Sequence, residues 1–158
     1  MKYIFLIAAI LIAVFCRVFL VSVYKVSSQT MAPTLLAGDF VLVSKASFGI
    51  KLPWSAEGSN EVYFSANPKD GDLVVFRKNS KIYIKRVLKL ENSQVLVVGD
   101  NKEPDSKNSD NEPNTPEMIS TDQIIGKPLY VWMSYSSTQD FISKTSGVRW
   151  NRILTKLN

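Results

Sequence analysis

A chain of 158 residues, 46% of them hydrophobic, has room for one membrane-length apolar segment and one domain of roughly 130 residues with its own core. The net charge of +5 is unevenly placed: Lys2, Arg17 and Lys25 all precede the first acid, Asp39, and from Val26 onward 16 Lys and Arg face 14 Asp and Glu, so no clustered basic face of the kind nucleic acid requires is present. Histidine is absent and Cys16 is the single cysteine, which excludes imidazole-based triads, an internal disulfide and a cysteine–histidine zinc site. Proton transfer near neutral pH therefore falls to Lys, Asp, Glu or Tyr.

Tyr3 to Cys16 carries no charge. As a helix these fourteen residues reach only about 21 Å, against a hydrocarbon core of about 30 Å. Continuing past Arg17 to Tyr24 gives about 33 Å, enough to span if Arg17 snorkels to the far interface. Val18 to Val26 is also rich in β-branched residues, and the preferred reading is a helix to about Phe15 or Arg17 followed by a strand. Poor cleavage spacing after Cys16 favours a retained anchor over a removed secretory signal. Lys2 and the amino terminus oppose Arg17 and Lys25, so charge alone leaves the orientation open.

Ser27 to Lys45 (S-S-Q-T-M-A-P-T-L-L-A-G-D-F-V-L-V-S-K) sets two hydroxyls, Ser28 and Thr30, beside Pro33 and ahead of a strand-like F-V-L-V. Proline presets one backbone angle, so Met31 to Thr34 reads as an ordered turn. A hydroxyl held there is a candidate nucleophile; the plainer reading is a Ser/Thr-rich linker. Ala46 to Phe64 reads as a loop or extended hairpin. Strands follow at Leu73 to Arg77, Lys81 to Leu90 and Gln94 to Val98, separated by Asn79-Ser80 and Glu91-Asn92-Ser93 turns. Lys102 to Pro116 has little to bury and reads as a surface loop. L-Y-V-W-M-S-Y, ending at Tyr135, reads as a last core strand, and the polar tail from Thr138 has some helical character. The pattern predicts a mostly β, mainly antiparallel domain behind a single N-terminal transmembrane helix.

Alternation in Lys81 to Val87 places Ile82, Ile84 and Arg86 on one face and Tyr83, Lys85 and Val87 on the other. A strand lysine among apolar neighbours is ordinarily an edge gatekeeper or a snorkelling side chain. The alternative is a desolvated lysine, whose neutral amine can take a proton from a hydroxyl without any histidine.

These residues carry a resemblance. The Ser27–Lys45 stretch, G-D-L-V-V-F-R with Y-I-K-R, G-D-N at Gly99–Asn101, I-I-G-K, W-M-S-Y and the closing R-W-N-R-I resemble, in order, the conserved boxes of bacterial type I signal peptidases (leader peptidases, serine peptidase family S26). The resemblance implies a membrane anchor and run-in over 1–24 and a periplasmic β-rich catalytic domain over 25–158, on the outer face of the inner (cytoplasmic) membrane. It implies cleavage of signal peptides from exported preproteins through an acyl-enzyme, with membrane lipid as a further partner and with no nucleic acid, metal or cofactor. Thr30 falls at the nucleophile position and Lys85 at the general-base position; the Ser28 hydroxyl and the Thr30 N–H fall where the oxyanion is held. Val26, Met31, Leu35, Tyr83 and Ile84 fall at substrate-binding positions, and Asp100, Asn101, Asp105 and Ser106 at supporting ones.

The departures are specific. Thr30 stands where the family has Ser, and its added methyl restricts χ1. Ser27 and Gln29 stand where the family prefers Pro and Gly. After Asn101, either Asp105-Ser106-Lys107 or Ser109-Asp110 aligns with the family's serine-containing run. The alternative to an active peptidase is a catalytically impaired homologue that binds peptides or partners at the membrane.

Overall fold

The structure is a computed structural model, and it describes residues 2–51, 62–63, 66–102, 115–136 and 147–157. Helix α1 spans Lys2–Phe19. The strands are β1 (Val21–Lys25), β2 (Asp39–Ser44), β3 (Ile50–Lys51), β4 (Val62–Tyr63), β5 (Leu73–Lys78), β6 (Lys81–Glu91), β7 (Gln94–Val98), β8 (Glu117–Ser120), β9 (Ile124–Ser136) and β10 (Gly147–Val148). The main sheet runs in the order β1-β2-β9-β5-β6-β7-β8, with β10 on β9, and β3 pairs with β4 separately. Every pairing is antiparallel.

The helix gives way to a strand at Val21, as the β-branched run after Arg17 predicts. A continuous helix to Tyr24 does not form, because Val21–Lys25 pairs along its whole length with β2. Eighteen helical residues rise about 27 Å. No helix among the described residues is long and apolar enough to cross a membrane, which corrects the expectation of a spanning helix. The snorkelling expected of Arg17 falls on a side chain outside the described ones.

Two tight hairpins follow from local chemistry. Asn79 and Ser80 (φ 49 and 63) join β5 to β6, and Asn92 and Ser93 (φ 42 and 69) join β6 to β7. Both central residues at positive φ give the two-residue turn whose twist matches antiparallel strands. The registers Lys78↔Lys81 and Glu91↔Gln94 are set by these turns.

Strand β5 is buried on both faces, which explains its unbroken apolar run. Leu73 and Val75 enter one cluster with Val26, Met31, Leu35, Val41, Val43, Ile84, Val131 and Leu157. Val74 and Phe76 enter a second with Val87, Val95, Val97, Ile119 and Ile124. The alternation read from β6 holds, with Ile82 and Ile84 on the first cluster and Tyr83 and Val87 on the second. Strand β8 was not foreseen. The helical character expected of the tail reduces, among the described residues, to a single 3-10 turn at Trp150–Arg152. Most of the loop expected over Lys102 to Pro116 lies outside the described residues.

The turn from Val26 to Asp39 is closed at its base. Val26 N donates to Asp39 O at 2.7 Å and Gly38 N to Val26 O at 2.9 Å. Gly38 has φ +92, and a Cβ there would sit 1.9 Å from the Tyr135 carbonyl oxygen, so only glycine fits. Asp39 is fully buried. Its carboxylate accepts from Leu36 N, the Ser134 hydroxyl and the guanidiniums of Arg149 and Arg152, with Arg152 Nη2 at 2.7 Å. Arg152 also donates to Thr34 O and Arg149 to Ala37 O, so the C-terminal segment grips the turn. Removing one partner of such a buried ionic cluster strands the others, at about 3–5 kcal/mol. Asp39→Ala is expected to lower unfolding stability by that amount in urea titration, whereas Trp150→Ala, at a side chain 78% exposed, leaves the midpoint within experimental error. Equal midpoints for Asp39→Ala and wild type would remove the clamp from this account.

Candidate functional site

Thr30 and Lys85 are each only 2% exposed, two of the few buried polar or charged residues among those described. Such burial is costly for an ammonium unless an anion or donor network compensates it. Thr30 sits in the closed turn, where Ala32 N donates to Gln29 O and Leu35 N to Met31 O; the Ala32–Pro33 bond is cis. The Ser28 hydroxyl donates to Thr30 Oγ1 at 3.1 Å and accepts from Thr30 N at 3.2 Å. The two oxyanion donors implied by the resemblance, Ser28 O–H and Thr30 N–H, thus belong to one small hydrogen-bonded unit.

Asp100 and Asn101 tie this turn to β6. Asn101 N donates to Thr30 O at 2.9 Å, and Asn101 Nδ2 to Gln29 O at 3.2 Å. Asp100 takes Arg86 through both Nε and Nη2 at 2.7 Å, and the Thr34 hydroxyl at 2.6 Å. Such two-pronged pairing fixes orientation as well as charge. One dipeptide after β7 therefore links the hydroxyl-bearing turn to the residue next to Lys85. Asp105, Ser106 and the alternative Ser109-Asp110 lie outside the described residues.

Val26, Met31, Leu35 and Ile84 come together, all within the first core cluster. Tyr83 lies apart from them, stacked on Phe76 with ring centroids 5.6 Å apart and packed on the second cluster.

A residue the sequence reading missed stands beside Lys85. Glu117, the first residue of β8, accepts from Lys85 Nζ through Oε1 at 2.9 Å and from Lys78 Nζ through Oε2. Burial raises the Glu117 carboxyl's proton affinity, but the hydrogen bonds and charges of Lys78 and Lys85 outweigh it and hold the group below the ordinary value. The available signal was the short apolar pair Met118-Ile119, overshadowed by the Pro- and Asn-rich residues before it. Among the described residues, no three His, Cys, Asp or Glu side chains cluster as metal ligands would.

A family model described as "Signal peptidase, peptidase S26" matches residues 1–101. Signal peptidase I of Buchnera aphidicola subsp. Baizongia pistaciae (strain Bp) is 43% identical over 90 residues, covering 54% of this chain and 28% of that protein. Signal peptidase I of Pseudomonas fluorescens is 42% identical over 89 residues, covering 54% of this chain and 30% of the relative. Signal peptidase I of Aquifex aeolicus (strain VF5) is 38% identical over 82 residues, covering 50% and 26%. The matched stretch spans less than a third of each of these relatives.

The pH dependence of stability follows from the carboxylates. Burial raises the proton affinity of Asp100, but the Arg86 hydrogen bonds, the Thr34 hydroxyl and the Arg86 charge together set it below its ordinary value. Asp39 behaves alike: burial raises it, and Arg152, Leu36 N–H and Ser134 more than offset that. A carboxyl lowered on folding contributes stability that is complete above its unfolded value, about 3.9, and is lost as pH falls through the folded value. The urea midpoint is expected to be level from about pH 7 to 5 and to drop below about pH 4. In Asp100→Asn it starts lower at pH 7 and drops less. An acid limb as steep in Asp100→Asn as in wild type would disprove the contribution of Asp100.

Proposed function

The chain belongs to the signal peptidase, peptidase S26, family, and from that premise we propose that it is an endopeptidase cleaving signal peptides from exported preproteins at a membrane surface. In this reading Thr30 Oγ1 attacks the scissile carbonyl and Lys85, as the neutral amine, takes the hydroxyl proton. The Ser28 hydroxyl and the Thr30 N–H hold the oxyanion, each such donor being worth a few kcal/mol in general. The acyl-threonine formed with loss of the new amino terminus is then released by water. The substrate binds extended beside the sheet, with small side chains against Val26, Met31, Leu35 and Ile84; Tyr83, on the other cluster, is left out of this contact.

The observation that carries the reading is the burial of Lys85, 2% exposed inside a β-domain. A lysine taken out of water is the residue type that histidine-free proton transfer calls on. The tie through Asp100 and Asn101 supports it by anchoring the Thr30 turn to the neighbouring Arg86.

Location belongs to the same proposal: the outer face of the inner membrane, held there by the apolar N-terminal segment. Support comes from exposed apolar side chains on α1, such as Phe5 at 75%. The exposed Trp132, Tyr135 and Trp150 add aromatic side chains of the kind that settle at a bilayer interface.

Two observations favour a second reading, a catalytically impaired homologue that binds peptides or partners. Thr30 carries a methyl that a serine site lacks, and Lys85 donates to an ionised Glu117. The test uses the full chain in detergent with a preprotein bearing Ala-x-Ala at its cleavage site. Wild type is expected to cleave, Thr30→Ala and Lys85→Met to lose cleavage, and Thr30→Ser to gain up to about a hundredfold, the cost of misplacing a nucleophile by about 1 Å. Cleavage by Thr30→Ser alone selects the second reading; undiminished cleavage by Thr30→Ala refutes the nucleophile.

A further inference from the structure

We infer that Thr34 is a positioning residue, the joint through which the hydroxyl-bearing turn is set against the strand that carries Lys85. The inference rests on the proposed roles of Thr30 and Lys85 and adds to them a residue that acts through others.

Thr34 lies four positions after Thr30, in the turn that Leu35 N closes by donating to Met31 O at 2.9 Å. It is half-buried, and its two polar ends are taken by charged residues from other segments. Its hydroxyl donates to Asp100 Oδ2 at 2.6 Å, and its carbonyl accepts from Arg152 Nη2 at 2.9 Å. Each partner leads onward to a different anchor. Asp100 follows β7 and accepts from Arg86 Nε and Nη2 at 2.7 Å each, and Arg86 is the neighbour of Lys85 in β6. Arg152 reaches the buried Asp39 carboxylate at 2.7 Å from the same nitrogen that it gives to Thr34. The contacts run from the turn to β6 on one side and to the C-terminal segment on the other, and Thr34 stands where they cross.

The hydroxyl does more than satisfy a carboxylate. Asp100 holds a two-pronged guanidinium, which pairs its charge and fixes its orientation. What Thr34 Oγ1 adds is location, a link between residue 34 and that ion pair. Asn101 carries parallel links, its N–H to Thr30 O at 2.9 Å and its Nδ2 to Gln29 O at 3.2 Å. Bonds from one dipeptide to positions 29, 30 and 34 fix the rotation of the turn as well as its distance, where bonds to one end alone leave it free to swing. Valine at position 34 keeps the shape and removes the link; serine keeps the hydroxyl and removes the methyl. Substitution there separates packing from positioning.

The test compares Thr34→Val and Thr34→Ser with wild type, as full-length protein in detergent, by two readouts. Backbone amide exchange followed by NMR reports on the joint itself. In Thr34→Val the Asn101 amide is expected to exchange about tenfold faster or more while the β5 amides keep their rates, and Thr34→Ser is expected to restore it. Preprotein cleavage, in the wild-type and Thr30→Ser backgrounds, reports on the consequence. Thr34→Val is expected to lower kcat by about tenfold to a hundredfold with KM little changed, as a misplaced nucleophile does, and Thr34→Ser to recover most of it. An Asn101 amide that keeps its rate in Thr34→Val, or that accelerates together with the β5 amides, overturns the inference, and so does an undiminished kcat. Where Thr34→Val does not fold, Thr34→Ala, which only removes atoms, takes its place. Absence of cleavage in both backgrounds refutes the peptidase reading, and the exchange rates then decide by themselves whether Thr34 is the joint.

Discussion

A lysine ammonium almost wholly out of water calls for an anion beside it, and Lys85 has one in Glu117. Lys85 projects from the middle of β6, directly across from Val74, on a strand whose neighbours Ile84 and Val87 are both core. Its charge meets Glu117 across β7, from the sheet's last strand. The strand order places these residues together. Strands β6, β7 and β8 are consecutive in the sheet, so a side chain two strands away can reach the ammonium.

The hydroxyl-bearing turn is held by different means. Its base is fastened by Asp39, a carboxylate with no contact with solvent, whose partners Arg149 and Arg152 come from the far end of the chain. Its tip is fastened by Asp100 and Asn101. These restraints use backbone carbonyls as well as side chains, since the carbonyl oxygens of Thr30, Gln29, Thr34 and Ala37 all accept hydrogen bonds. A turn fixed at both ends loses little further freedom when it reacts or binds, which is the physical value of preorganisation.

Membership of the signal peptidase family and the presence of Thr30 with Glu117 pull in different directions. The turn, the lysine strand and the Gly99-Asp100-Asn101 segment resemble the family pattern. Thr30 carries a methyl that restricts its χ1, and Lys85 is ion-paired to Glu117; each feature sits at a single side chain and is removable by one substitution.

Much of the sheet was legible from residues alone because its signals are local. The Asn-Ser hairpins, the β-branched run of β1, the alternation of β6 and the apolar run of β5 each depend on neighbours within a few residues. Motif order and the absence of histidine singled out Thr30 and Lys85 as candidates, and the structure buries both. Only the tertiary structure decided who partners whom. Glu117 reaches Lys85 across 32 positions, and Arg149 and Arg152 reach Asp39 across 110 and 113. Local periodicity says which residues are apolar and which turn; it carries no information on which distant charge will neutralise a buried one, because that choice is made by strand order and by desolvation when the sheet closes.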